Sequence, residues 1–208
     1  MPTTTTYPNG QQLISTALTQ VQITNLIQTL TCGAIGVNPP NFAAVRVDWP
    51  VQGQPFTQLP NQDACYVACV TEDSEYSRVR DTALTGTGTT NSPLVQVWEY
   101  TRNWRVSWVF YGPNSTDRAR AVHSAFVFMD FFNDQLNLNN LYPVSDPPEP
   151  VRMPENFNAQ WWERVDFHLA MYEQVTENIQ PGVATSVEVK VIDTGGQVAD
   201  ITVTQETT

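Results

Sequence analysis

Residues 94–114 read LVQVWEYTRNWRVSWVFYGPN, and no other stretch of the chain has so regular a pattern. Between Trp98 and Phe110 the aromatic residues keep to even-numbered positions, whereas odd-numbered positions hold Glu99, Asn103, Arg105 and Ser107. Alternation with a period of two is typical of a strand with one buried face. The pattern predicts one long strand, or a hairpin that keeps its register through Thr101-Arg102-Asn103.

A turn at Tyr111-Gly112-Pro113-Asn114 is predicted to lead from this strand into a helix. Asn114 or Ser115 is expected to be the N-cap, with a side-chain oxygen that accepts a backbone N–H, and Asp117 adds negative charge to the first turn. The helical spacing of apolar residues continues to Leu136. It predicts one helix that buries Ala119, Val122, Phe126, Met129, and Phe132 or Phe131.

The remaining periodicity predicts a helix over residues 10–31, strands over 44–49 and 65–71, and a strand after Trp161 that buries Val165, Phe167, Leu169 and Met171. Residues 50–63 and 82–93 are predicted loops, and a hairpin is predicted after Pro181-Gly182. The fold class is therefore α/β (α+β), with a mostly antiparallel sheet packed by two main helices and a C-terminal β-hairpin appendage. The expected boundaries are a flexible N-terminal arm at 1–9, a main domain at 10–180 and the hairpin extension at 181–208.

The charge balance disfavours whole classes of partner. The chain of 208 residues has 21 acidic and 10 basic residues, which gives a net charge of −11. Proteins that grip nucleic acid use basic surfaces, and anionic membranes repel acidic ones, so neither is an expected partner. The N-terminus lacks a signal-peptide pattern, which predicts synthesis in the cytoplasm. Three cysteines without a secretory signal are expected to be reduced, buried thiols.

Catalytic and metal-binding patterns are weak. His123 and His168 lack further ligands at metal spacing, and Cys65 and Cys69 do not form a CxxC pair. Glu155, Glu163 and Asp166 could serve as an acid/base pair, but surface carboxylates are the simpler interpretation in so acidic a chain. The glycine-threonine stretch at 85–90 lacks the lysine of a phosphate-binding loop. We expect no catalytic residues, no metal and no cofactor.

The adjacent tryptophans Trp161 and Trp162 are a different kind of signal. Neighbouring residues of a strand point to opposite faces, so one indole is expected outside the domain's own core. Large exposed aromatic residues often anchor a partner protein. The pair is therefore a candidate subunit interface.

Three segments resemble the neck or tail-terminator proteins of tailed bacteriophages. They are Glu99-Tyr100-Thr101-Arg102-Asn103-Trp104, the turn Phe110-Tyr111-Gly112-Pro113-Asn114, and Pro154-Glu155-Asn156-Phe157-Asn158 with the following Gln160-Trp161-Trp162-Glu163-Arg164-Val165-Asp166. The resemblance extends over about residues 10 to 180 and has the turn and the third segment as its most specific parts. The threonine-rich start and the C-terminal hairpin lie outside it.

The resemblance implies a structural virion protein without catalytic residues. Such proteins form a ring, typically a hexamer, that caps the tail tube, joins it to the head connector and leaves a channel through which genomic DNA passes without specific binding. The implied partners are other copies of the chain, the tail-tube protein and the head-tail connector protein, with assembly in the host cytoplasm. Arg102 and Arg105 on the long strand are further candidate interface residues. Alternatives are another virion adaptor or baseplate component and, with weaker support, a small carbohydrate-binding module or hydrolase.

Overall fold

The computed structural model describes residues 2–8, 11–37, 43–47, 61–86, 94–157, 159–180, 186–192 and 198–204. The helices are α1 (Gln20–Ala34), α2 (Glu75–Arg78), α3 (Ser115–Phe128) and α4 (Asp130–Asn137). The strands are β1 (Thr3–Thr6), β2 (Gln12–Ser15), β3 (Val45–Val47), β4 (Ala64–Glu72), β5 (Asp81–Thr85), β6 (Val95–Tyr111), β7 (Leu141–Pro143), β8 (Val151–Arg152), β9 (Glu155–Phe157), β10 (Gln160–Trp162), β11 (Arg164–Gln180), β12 (Ser186–Ile192) and β13 (Val198–Thr204). The protein is thus a mixed α+β structure in which strands predominate.

The chain divides into two compact units. One consists of Met1–Thr16, Asp81–Trp98 and Thr176–Thr208, and the other of Ala17–Arg80 and Glu99–Val175. Strands β6 and β11 contribute residues to both units. None of the helices in the described ranges has the length and apolar character needed to cross a membrane.

The larger unit, residues 17–80 and 99–175, contains a sheet with the strand order β11-β6-β4-β3. Strand β4 is antiparallel to β6, from Ala64 opposite Tyr111 to Glu72 opposite Asn103. Strands β7 and β8 pair antiparallel with β11, whereas β3 runs parallel to β4. These pairings agree with the predicted antiparallel sheet except at β3.

The core of this unit follows the predicted strand alternation. β6 is one strand of 17 residues rather than a hairpin. Its even-numbered residues Trp104, Val106, Trp108 and Phe110 are buried, as are Val165, Phe167, Leu169 and Met171 of β11. The Trp108 ring stacks on Phe167 with centroids 5.0 Å apart and lies 5.2 Å from the Phe126 ring of α3.

The helix predicted over residues 10–31 begins later than expected. Gln12–Ser15 form strand β2, and α1 begins at Gln20. Thr19 caps this helix because its side chain accepts the Gln22 backbone N–H, while the Gln22 side chain accepts the Thr19 N–H. This reciprocal capping box satisfies two N–H groups that the first turn would otherwise leave unpaired. The prediction followed apolar spacing alone and overlooked this start signal.

The single helix predicted after Asn114 is interrupted at Met129, which has extended backbone angles of φ −95° and ψ 116°. Continued helical spacing from Phe126 would turn Asn133 and Asn137 toward the core. After the break, Phe132 and Leu136 are buried instead. The prediction that Met129 is buried was wrong: Met129 and Phe131 are both more than half exposed.

The smaller unit, residues 1–16, 81–98 and 176–208, is built from strand pairs. Thr3–Thr6 of the predicted N-terminal arm form β1, which pairs antiparallel with β2, and β2 pairs antiparallel with Glu177–Gln180. Part of the predicted 82–93 loop is strand β5. The predicted C-terminal hairpin is present as β12 and β13, which pair antiparallel. Positions 48–49 of the predicted strand and positions 50–60 and 87–93 of the predicted loops lie outside the described residues, and the predicted domain boundaries stay predictions.

Candidate interaction site

The turn at the end of β6 lies against the β9–β10 hairpin, so the two most specific segments of the sequence resemblance meet in the larger unit. The buried Tyr111 ring is edge-on to the Trp162 ring, with centroids 6.1 Å apart and planes at 90°. The Tyr111 hydroxyl donates a 2.8 Å hydrogen bond to Glu155 Oε1. The Tyr111 pKa is raised well above its ordinary value. Burial is the main cause, and the hydrogen bond to Glu155 is the second.

Gly112 occupies a position that requires glycine. Its φ is +102°, a region that side chains with a Cβ rarely adopt. Its N–H donates to the Glu163 carbonyl over 3.3 Å. A Cβ there would lie 2.6 Å from both Asp63 Oδ1 and the Gln62 carbonyl oxygen, which is closer than van der Waals contact allows.

Asp63 stabilises the start of α3 in a way that the sequence did not reveal. Asn114 is the N-cap, as predicted, but its side chain forms no capping bond. Asp63 instead accepts the Asn114 backbone N–H over 3.0 Å and the Asn114 amide over 2.8 Å, and it pairs with Arg118 at 3.3 Å. The expected role of the Asn114 oxygen was therefore wrong, and the separation of 51 positions hid the carboxylate that replaces it.

Arg164 neutralises two of the carboxylates considered as an acid/base pair. It binds Glu155 at 2.8 Å and holds both oxygens of Asp166 at 2.7 Å. Hydrogen bonding to Asp166 is the largest influence that raises the Arg164 pKa. Glu163 binds Arg152 instead, and this hydrogen bond lowers the Glu163 pKa. These carboxylates hold the hairpin and turn in place.

Trp161 and Trp162 lie on opposite faces of β10, as predicted. Trp162 is 5% exposed and contacts Tyr111, whereas Trp161 is 72% exposed. A tryptophan with so large an exposed fraction is uncommon outside binding surfaces. Trp161 is therefore the member of the pair that is available to a partner.

Arg102 binds a carboxylate that the sequence reasoning missed. Glu173 is fully buried and accepts hydrogen bonds from Arg102 Nε at 2.7 Å, Trp104 Nε1 at 2.6 Å and the Leu18 backbone N–H at 2.6 Å. Arg102 also donates to the Leu18 carbonyl at 2.5 Å. The sequence did contain a clue to this carboxylate. Glu173 follows Met171 by two positions, so in a strand its side chain lies on the same buried face.

Arg105, the other candidate arginine, faces a different neighbour. It pairs with Glu72 at 2.5 Å, and its side chain is 55% exposed. The Arg102 side chain is only 26% exposed. Of the two arginines, Arg105 is therefore the more accessible to a second protein.

The histidines and cysteines have structural surroundings. The His123 ring lies on α3 between the rings of Phe128 and Phe167, and His168 is exposed on β11. Cys32, Cys65 and Cys69 are buried and form no disulfide, as predicted, and burial raises the Cys65 pKa. Within the residues that the structure describes, no three His, Cys, Asp or Glu side chains converge as a metal site would require.

The described carboxylates singled out by sequence are engaged in ion pairs within the chain, and the Trp161 indole beside them is exposed. The family of phage neck terminator proteins matches residues 21–204, and the chain belongs to this family. The resemblance to tailed-phage neck proteins is thereby confirmed, but the match begins at residue 21 and includes the C-terminal hairpin, which was expected to lie outside it. The family places the protein in the virion neck, among other phage head and tail proteins. No curated protein matches the chain.

Proposed function

We propose that the protein forms a hexameric ring that caps the tail tube and joins it to the head-tail connector, with a channel for DNA. The observation that carries this proposal is the family match over residues 21–204. In this proposal residues 10–180 pack as a tail-terminator-like domain, and the chain joins the ring in the host cytoplasm before the head and tail meet. Its partners are further copies, the tail-tube protein and the connector protein.

The residues proposed to form or support the contacts between copies are Arg102, Arg105, Trp161 and Trp162. The exposure of Trp161 is consistent with direct contact to another copy. Trp162 is buried, and in this proposal it holds the β9–β10 hairpin in place. Arg105 is accessible beside Glu72 and can exchange this surface ion pair for a carboxylate of another copy at little cost. Arg102 acts from within by positioning β6 against Glu173.

The acidic charge of the chain suits a passage for DNA. Six copies at −11 each carry a total of −66. A negatively charged channel wall repels phosphate groups, so DNA slides through it without binding. A ring structure with basic residues concentrated on the channel wall would contradict this part of the proposal.

Imaging and phage genetics test the proposed function together. Negative-stain images of the purified chain, alone and with the tail-tube protein, are expected to show rings with a central hole. A phage with this gene deleted is expected to make tail tubes of uncontrolled length that do not join heads. Tails of normal length, joined to heads, would exclude the capping role and favour a different adaptor or baseplate component.

The charge-reversed variant Arg105→Glu tests the interface with little risk to the fold. It is expected to weaken ring formation, whereas the matched variant Arg120→Glu changes an exposed arginine of α3 that forms no ion pair with the described residues and is expected to leave ring formation unchanged. Rings of equal stability from both variants would remove Arg105 from the proposed interface. Reversal of Arg102 is less informative because it would bury a second carboxylate beside Glu173.

A further inference from the structure

Helix α1 carries no charge, although the chain is strongly acidic. Residues 1–45 contain no Asp, Glu, Lys or Arg, so all 21 acidic and 10 basic side chains belong to residues 46–208. The other three helices that the structure describes each have an acidic residue in the first turn, namely Glu75, Asp117 and Asp130. The helix dipole stabilises a carboxylate at that position, yet the first turn of α1 has none.

The inward side of α1 holds the helix against the larger unit. Ile23 and Ile27 are fully buried in the core. The buried Gln28 amide donates to the Val45 carbonyl over 2.6 Å, which ties the helix to β3. Both the apolar and the polar residues on this side are therefore used within the subunit.

The outward side of α1 presents only uncharged residues to solvent. Val21, Gln22, Asn25, Thr29 and Gly33 are exposed, and their helical spacing places them along one side of the helix. This α1 face is about 18 Å long from its first to its last residue. The Asn25 and Thr29 side chains form no hydrogen bond with any residue that the structure describes. Amide and hydroxyl groups both donate and accept, so the α1 face can bind another uncharged polar surface.

Electrostatics indicates which partner the α1 face fits. Each copy has a net charge of −11, so two copies repel each other where their acidic side chains come within a Debye length of about 8 Å. A basic partner is attracted to the acidic parts of the surface and has no need of an uncharged helix. A second acidic copy does need one, because like charges that oppose each other across an interface are costly. The occupant is therefore a second copy of this chain.

We propose that the α1 face is a contact between neighbouring copies. Asn25 and Thr29 supply its hydrogen bonds, Val21 supplies an apolar contact, and Gly33 lets the neighbouring chain approach the helix closely. The inference rests on the proposed ring and assigns one of the two surfaces that every subunit of a closed ring presents.

Two substitutions at Thr29 test the contact by charge. Thr29→Glu places a carboxylate within the α1 face, and Thr29→Gln is the matched variant of equal size without the charge. Under the conditions in which the wild-type chain forms rings, Thr29→Glu is expected to raise the concentration at which half of the rings dissociate about 10-fold or more. Thr29→Gln is expected to resemble the wild type. Mass photometry over a dilution series measures both.

Two controls separate a lost contact from other effects. Glutamate and glutamine favour helix more than threonine does, so both variants are expected to fold, and circular dichroism with thermal unfolding checks this. Thr116→Glu adds the same charge at an exposed position of α3 and is expected to leave ring stability unchanged. Equal weakening by Thr29→Glu and Thr116→Glu would overturn the assignment to the α1 face.

Photo-cross-linking identifies the occupant directly. The native cysteines are buried, so a benzophenone maleimide is expected to label Asn25→Cys at the introduced thiol. Irradiation of assembled rings is expected to join two copies of the chain. Cross-links to the tail-tube protein alone, or none between copies, would overturn the inference.

The outcomes also separate this inference from the proposed function. Rings of Thr29→Glu that are as stable as those of Thr29→Gln overturn the contact at the α1 face and leave the ring itself standing. A wild-type chain that forms no ring, with or without the tail-tube protein, overturns the proposed function and this contact together.

Discussion

Gly112 shows how a single residue joins three parts of the chain at the turn after β6. Its backbone N–H contacts the Glu163 carbonyl, while the space for a Cβ is occupied by Gln62 and Asp63. Glycine is therefore required for two separate reasons, a left-handed backbone conformation and a close approach of two backbones. Sequence alone indicated the turn but not the second reason.

The variant Gly112→Ala is expected to lower the free energy of unfolding by about 2 kcal/mol or more, because strain and overlap with Asp63 add. Gly36→Ala is the matched control, since Gly36 has φ of +74° but its Cβ would meet nothing within 4 Å. Gly36→Ala is expected to lower the free energy of unfolding by about 1 kcal/mol, from backbone strain alone. Urea unfolding measures both. Equal losses would show that the backbone at Gln62 and Asp63 moves aside freely.

Tyr111 makes stability dependent on alkaline pH. Its folded-state pKa is raised above the ordinary value of about 10 that it has in the unfolded chain. The stabilisation is therefore complete below about pH 10 and is lost as the pH rises toward the folded-state pKa, with a slope of at most about 1.4 kcal/mol per pH unit.

Tyr111→Phe tests this pH dependence. The variant is expected to be less stable at pH 8, because it lacks the hydrogen bond to Glu155, but to lose less stability between pH 10 and 11. Urea midpoints measured at both pH values for the two proteins supply the comparison. The raised pKa of Cys65 affects both proteins equally and cancels in it. Parallel pH profiles would contradict the assignment to Tyr111.

At the scale of elements, Glu173 connects α1 with β6 and β11. It accepts the Leu18 N–H just before α1, and the Arg102 and Trp104 side chains of β6. A buried carboxylate is costly unless donors surround it, and here three donors share its two oxygens. The result is a buried polar connection between these three elements.

Glu173→Gln is expected to lower the free energy of unfolding by about 3 kcal/mol, because it leaves Arg102 without its counter-charge and directs an amide NH₂ toward existing donors. The same substitution at Glu163, whose pair with Arg152 is exposed, is the control and is expected to have a much smaller effect. Thermal or urea unfolding provides the measurement. Similar losses at the two sites would mean that Glu173 contributes no more than a surface ion pair.

The sequence predicted the elements whose pattern is local and missed those that depend on distant residues. Alternation in β6 and β11 identified their buried faces because each strand has one apolar side. The break at Met129 was missed because helical spacing continues through it, and only the core selects Phe132 over Asn133. Thr19 was a readable start signal that apolar counting overlooked.

The candidate site could be predicted only in part for the same reason. Strand alternation predicted that Trp161 and Trp162 lie on opposite faces, but it could not predict which of the two indoles is exposed. That answer depends on Tyr111, which lies against Trp162 from another strand. Asp63 binds Asn114, 51 positions away, and Glu173 binds Leu18, 155 positions away. A local sequence pattern cannot predict contacts at such separations.

The protein has few basic residues, and most of its arginines are already engaged within the described structure. Eight of the nine arginines contact a carboxylate, an aromatic ring or a carbonyl in the described structure, and the exception is Arg120. The net charge of −11 leaves a surface that repels phosphate. This charge distribution is compatible with the proposed channel, through which DNA would pass without binding.

We therefore expect no retention of double-stranded DNA in a gel-shift assay, even at about 50 mM salt, where electrostatic binding is strongest. A variant in which Asp130, Asp134 and Glu149 are changed to lysine supplies a positive comparison and is expected to retain DNA weakly. A shift with the wild-type chain that weakens steeply as salt rises would contradict the expectation.

The long-range bonds of Leu18 have a consequence for synthesis on the ribosome. Its N–H and carbonyl are bound by residues 155 and 84 positions later. At about 5–20 residues per second, Glu173 emerges roughly 8 to 30 seconds after Leu18. During that interval Leu18, which precedes α1, lacks these partners, so the nascent chain cannot complete this part of its core until Glu173 has emerged.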